Sequence, residues 1–200
     1  MSKEGVDASR RRFLTLATTV VGGAGVVAAA WPFLASLKPS ERAKAMGAPI
    51  TIDISKLEPG QRIIQAWRGQ PIWVVKRTPD MLESLKKLPA DTLRDPESKE
   101  PQQPEYVKGE ARALKPEILV MKGVCTHLGC SPGFHPEHPA PEIDANWQGG
   151  FYCPCHGSKF DISGRVYTGV PAPLNLVVPP HRYADDNTIV IGEDPTTGAA

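Results

Sequence analysis

The sequence predicts a mostly β protein: an antiparallel sandwich or barrel behind one N-terminal membrane-spanning helix. Three observations carry this. Proline at 21 and glycine at 18 of 200 residues, with only 6% aromatic residues, disfavour a helical bundle or coiled coil and favour short strands joined by turns. Short apolar runs recur between those breakers. Residues 13–37 form a run of 25 without a charge. The formal charge of +1, from 23 basic and 22 acidic side chains, excludes a nucleic-acid-binding basic face and an acidic disordered chain.

At the N-terminus, Ser9-Arg10-Arg11-Arg12-Phe13-Leu14 sets a double arginine directly before the apolar run. This resembles a bacterial twin-arginine export signal, used by proteins that take up a cofactor before crossing the membrane. A signal-peptide core spans about 7–15 residues and a membrane helix about 20, so residues 13–37 are expected to stay as a transmembrane anchor. Phe13 to Trp31 alone would rise about 28 Å before Pro32 kinks or ends the helix. A possible cleavage site, Ala43-Lys44-Ala45, lies well beyond the run. Residues 1–12 should remain cytoplasmic and the rest of the chain should lie outside, in the periplasm of a bacterial inner membrane. Polar, small residues 38–48 read as a flexible tether, and 49–200 as the exported head.

Within the head, Ile50-Thr51-Ile52-Asp53-Ile54 alternates with the period of a half-buried strand. Ile63–Trp67 and Ile72–Val75 flank Arg68-Gly69-Gln70-Pro71 as a hairpin. Ile118–Met121 is a short buried strand leading to the first cysteine, and Ile189–Ile191 follows the turn-like Asp185-Asp186-Asn187. From Thr78 to Pro116 the pattern breaks down among six prolines. Met81–Leu88 fits one short amphipathic helix; the remainder reads as a surface insertion and a contact surface. His135, His138 and His181 stand apart from cysteines and read as surface histidines.

Two clusters hold the chemistry: Cys125-Thr126-His127-Leu128-Gly129-Cys130 and Cys153-Pro154-Cys155-His156-Gly157-Ser158. Together they offer six sulfur and imidazole ligands, more than the four of a structural zinc. A four-cysteine iron–sulfur cluster leaves both histidines without a role, and two disulfides leave them unexplained. A 2Fe–2S cluster on two cysteines and two histidines, with the other two cysteines paired, uses every residue once. Zinc and disulfide-only readings remain open at this point.

The two motifs resemble those of Rieske iron–sulfur proteins. From anchor through tether to head, the chain is similar to Rieske subunits of cytochrome bc complexes. The resemblance implies a Rieske-type head with a small cluster-binding subdomain, its loops at about 124–173. It implies one 2Fe–2S cluster with Cys125 and Cys153 on one iron and His127 and His156 on the other. It also implies a Cys130–Cys155 disulfide and a hydrogen bond from Ser158 to a cluster sulfide. Two ferric ions, two sulfides and two thiolates sum to zero, where four thiolates would give −2. Imidazole ligation thereby raises the potential to roughly −150 to +300 mV, against about −400 mV for plant-type ferredoxins.

The implied activity is that of a quinol–cytochrome c oxidoreductase subunit. It would accept an electron and a proton from ubiquinol at cytochrome b, and pass the electron to the haem of a membrane-anchored c-type cytochrome in a dimeric complex. His156 and His127 would be the catalytic histidines, with His156 facing the quinol. Two departures from the family pattern stand out: Val170 separates Gly169 from Pro171, and Phe160 stands where many members carry tyrosine. The alternatives are a Rieske subunit of a molybdenum oxidase such as arsenite oxidase, and a zinc-stapled non-redox anchor. The proline-rich insertion and full-length anchor favour the bc complex.

Overall fold

A computed structural model describes residues 7–195, in two units that divide between Ala45 and Met46. In the first, helix α1 runs from Ala8 to Ser36, with Pro32 inside it. The Asp7 carboxylate caps it, accepting from the amides of Ser9 and Arg10. Arg10, Arg11 and Arg12 therefore ride on its first turns rather than preceding it, and residues 1–6 of the expected cytoplasmic segment lie outside the described residues. No residue of α1 is buried by protein, which suits a helix solvated by lipid. A second helix, α2, covers Glu41–Gly47, inside the stretch expected to be a flexible tether. The Ser40 hydroxyl accepts from the Ala43 amide at its start.

The head contains three antiparallel sheets of three strands. β1 (Ile50–Asp53) pairs with β9 (Thr188–Ile191), which pairs with β8 (His181–Asp185). β2 (Arg62–Trp67), β3 (Gln70–Lys76) and β4 (Ile118–Lys122) form the second sheet; β5 (Gly133–His135), β6 (Gly150–Cys153) and β7 (Ser158–Asp161) form the third. The β2–β3 hairpin turns on Arg68 and Gly69 alone, both at positive φ (51° and 72°), the backbone of a type I′ turn.

The unbroken apolar runs of β3 and β4 have a physical cause: both strands are covered on two faces. Ile72, Val74, Ile118 and Val120 join Ile52, Ile189 and Ile191 in one core. Their neighbours Trp73, Val75, Leu119 and Met121 join Phe151, Phe160 and Leu176 in a second. The middle sheet, which leads into the first cysteine cluster, thus ties the third, which carries the second cluster, to the first. The Trp73 ring stacks on Phe151 at 5.2 Å. It also lies where a Cβ on Gly123 would come within 2.0 Å, so only glycine fits two residues before Cys125.

The structure corrects two expectations. Helix α3 (Pro79–Lys87) forms as expected, but the segment between it and β4 is no mere surface insertion. Leu93, Val107 and Arg112 are buried, and Arg112 is fully enclosed. Its guanidinium donates to Gln103 Oε1 (2.7 Å) and to the carbonyls of Ser163 (3.0 Å), Gly164 (3.2 Å) and Leu176 (2.8 Å). Arg77 donates to Ser163 Oγ (2.8 Å) from the other side, while Asp161 and Arg165 pair inside the turn at 2.6 Å. Burial pulls the Arg77 and Arg112 pKa values down to about 10, yet the Ile162, Ser163 and Gly164 carbonyls of the turn each gain a charged donor.

His181 is the second correction: it is buried, not exposed. Its Nδ1 lies 2.9 Å from the Pro179 carbonyl, and its enclosed Nε2 has no partner among the described residues. The neutral ring fits this site. Burial lowers its pKa, opposed by the Pro179 carbonyl and by Asp194, which accepts from Tyr106 at 3.0 Å. As pH falls below about 6.5 the unfolded chain binds this proton first, so the folded state loses stability. In His181→Gln the unfolding free energy should fall less steeply between about pH 6.5 and 5 than in the parent chain, by up to one proton's slope. Denaturant titrations of the full chain at each pH check this; an unchanged slope would contradict a buried, neutral His181.

Candidate metal centre

Each cluster motif folds as the same tight turn. The Cys125 carbonyl accepts from the Gly129 amide (3.0 Å), and the Cys153 carbonyl from the Gly157 amide (2.9 Å). Both glycines have positive φ (83° and 73°), and an added Cβ at either would meet nothing, so the requirement is conformational. The first turn leaves the end of β4, and the Cys125 amide closes it onto the Cys130 carbonyl at 2.8 Å. The second joins β6 to β7, where Cys153 and Ser158 are register partners. Cross-strand partners share a sheet face, which puts the Ser158 hydroxyl on the side of the Cys153 sulfur.

Three ties close the loops on one another. Cys130 and Cys155 form a disulfide. The Thr126 hydroxyl donates to the Leu174 carbonyl at 2.6 Å, and the Ala172 amide donates to Ser158 Oγ at 3.1 Å. The proline-rich stretch after Gly169 thereby becomes a third wall. None of these partners beyond the disulfide is legible in the sequence, because two of the acceptors or donors are backbone groups of a loop distant along the chain.

The closure brings the expected residues together as two pairs, Cys125 with Cys153 and His127 with His156. Cys125 and Cys153 are free and buried, whereas the His127 and His156 rings stand edge to face, 4.7 Å between centroids. His127 is half-buried and His156 exposed, as is Leu128. Sulfur thus faces inward and imidazole outward. The sulfurs of Cys130, Cys153 and Cys155 lie within 4.8 Å of one another, but two of the three are spent in the disulfide and offer no thiolate. Burial pushes the Cys153 thiol pKa up, while the amides of Cys155 and His156 bond its sulfur and oppose that shift. Phe160 is fully buried in the core that contains both free cysteines.

This donor set fits a 2Fe–2S group. It has two buried thiols, two imidazoles and backbone amides beside the Cys153 sulfur. The Ser158 hydroxyl is fully buried; it accepts from Ala172 and donates to no group among the described residues, so its proton has no protein acceptor.

Comparison with known proteins agrees. Residues 94–180 match the family described as "Rieske [2Fe-2S] domain", and residues 1–40 match "Ubiquitinol-cytochrome C reductase Fe-S subunit TAT signal". The chain is 54% identical over 194 residues to the ubiquinol–cytochrome c reductase iron–sulfur subunit of Allochromatium vinosum, covering 97% of this chain and 93% of that one. It is 43% identical to that of Blastochloris viridis, covering 96% and 97%, and 41% identical to that of Rhodospirillum rubrum, covering 96% of each. Signal, head and relatives agree from end to end: the chain belongs to the family of ubiquinol–cytochrome c reductase iron–sulfur subunits.

Proposed function

We propose that this chain is the membrane-anchored redox subunit that takes an electron and a proton from ubiquinol at cytochrome b and delivers the electron to a membrane-anchored c-type cytochrome. The observation that carries this is the division of the site: buried thiols behind, imidazoles in front. Cys125, His127, Cys153 and His156 hold the cluster, which when bound supplies a one-electron acceptor. Cys125 and Cys153 keep water from the sulfur side. His156, the exposed ring, accepts the quinol hydrogen bond and holds the proton on its outer ring nitrogen until release. His127 lies edge-on to it and fixes its lateral position. Leu128, 71% exposed at the tip, gives the head an apolar contact for docking.

The head stands on the periplasmic side of the inner membrane, with α1 as anchor. α2 is seven residues long and has no buried residue, too short to persist unsupported in water. A helix-to-coil change over 38–48 would let the head travel between its two partners in the dimeric complex.

Iron and sulfide analysis of the purified complex, with electron paramagnetic resonance after one-electron reduction, tests the cluster. Two irons and two sulfides per chain with a paramagnetic reduced state are expected; zinc without iron would overturn the reading. Cys130→Ser keeps all four proposed ligands but frees the loops, so cluster content and midpoint potential should both fall. A variant with parental content and potential would remove the disulfide from the account. Phe160→Tyr adds a donor toward the Cys153 sulfur. One hydrogen bond of about 0.5–1.5 kcal/mol corresponds to an increase of about 20–60 mV for one electron. A redox titration showing no rise, with the cluster intact, would contradict this role.

A further inference from the structure

The segment between α3 and β4 lies along the third wall of the site. The Thr168 amide donates to the Thr92 carbonyl (2.8 Å), the Arg94 amide to Val166 (2.9 Å) and the Val178 amide to Gln102 (2.8 Å). Asn175 donates to the Asp95 carbonyl (3.0 Å) and to Ser98 Oγ (3.1 Å). One side chain of this strap reaches the proline-rich turn itself: Arg94 Nη2 donates to the Val170 carbonyl at 3.2 Å. Val170 is the residue that departs from the family pattern, and it is buried.

Val170 is followed by Pro171, then by Ala172, whose amide meets the Ser158 hydroxyl. Two rigid peptide planes separate the Val170 carbonyl from the Ala172 N–H. The pyrrolidine ring fixes φ of Pro171 between them, which leaves one soft torsion. Holding the Val170 carbonyl therefore aims the Ala172 N–H. That N–H occupies a lone pair of Ser158 Oγ, so the hydroxyl proton must turn away from Ala172.

We infer that Arg94 is a positioning residue for the redox centre: through Val170 and Ala172 it sets the direction in which Ser158 donates, and so helps set the midpoint potential. This rests on the proposed reading of Ser158 as a donor to the cluster.

The test is redox titration of the whole complex, followed by paramagnetic resonance, for Arg94→Met, Arg94→Lys, Ser158→Ala and the double variant Arg94→Met with Ser158→Ala. Ser158→Ala should lower the midpoint. Arg94→Met should lower it by part of that amount, Arg94→Lys should recover some of the loss, and Arg94→Met should add nothing once Ser158 is alanine. An equal drop in both backgrounds would show that the guanidinium acts through its charge, which overturns the inference. So would an unchanged Arg94→Met midpoint beside a lowered Ser158→Ala one, with the Ser158 reading left standing. An unchanged Ser158→Ala midpoint would instead remove the reading beneath it. If Arg94→Met holds no cluster, Arg94→Gln takes its place: it keeps an amide donor but no charge, and a midpoint drop that persists in the Ser158→Ala background overturns the inference.

Discussion

The site depends on holding two turns from different sheets face to face. The first leaves β4 of the middle sheet and the second joins β6 to β7 of the third. Nothing in the turns themselves draws them together, since their exposed faces carry imidazole and leucine. The Cys130–Cys155 disulfide closes a separation of 25 residues, a constraint of about 3.5 kcal/mol on the unfolded chain in the loop-entropy account. It runs from the half-buried Cys130, packed on the core, to the exposed Cys155. On the inner side the Trp73–Phe151 stack and the shared core of Cys125, Cys153 and Phe160 hold the turns by packing.

The electrostatics depend on that closure. A dry pocket penalises charge, and two thiolates with two neutral imidazoles leave the oxidised cluster uncharged where four thiolates would not. In the proposed reading, the outward imidazoles would place the proton-bearing groups at the water boundary and the electron behind them. Farther back, Arg77, Arg112 and the Asp161–Arg165 pair lock the turn after β7, so the strand carrying Ser158 is anchored at its far end.

Much of this is legible in the sequence. Strands announce themselves by alternation, as in Ile50–Asp53, or by unbroken apolar runs that mark two-sided burial, as in Ile72–Val75. The paired cysteines and histidines name the chemistry because few sites need both in duplicate. Residues 92–113 mislead because their prolines and charges resemble surface loop, while the burial of Arg112 depends on carbonyls contributed by residues 163–176. His181 hides for the same reason: its partner is a backbone oxygen, which leaves no trace in side-chain pattern. The helix over Glu41–Gly47 sits among residues whose local propensity is helical but whose length is marginal.

The central claim is that one imidazole from each turn ligates the cluster. Nitrogen hyperfine spectroscopy on the reduced complex, prepared with 15N-labelled histidine, reads this directly. Two inequivalent histidine nitrogens coupled to the reduced cluster are predicted, with one coupling lost in His127→Cys or His156→Cys variants that retain iron. A reduced cluster with no histidine coupling would show sulfur ligation alone and contradict the account.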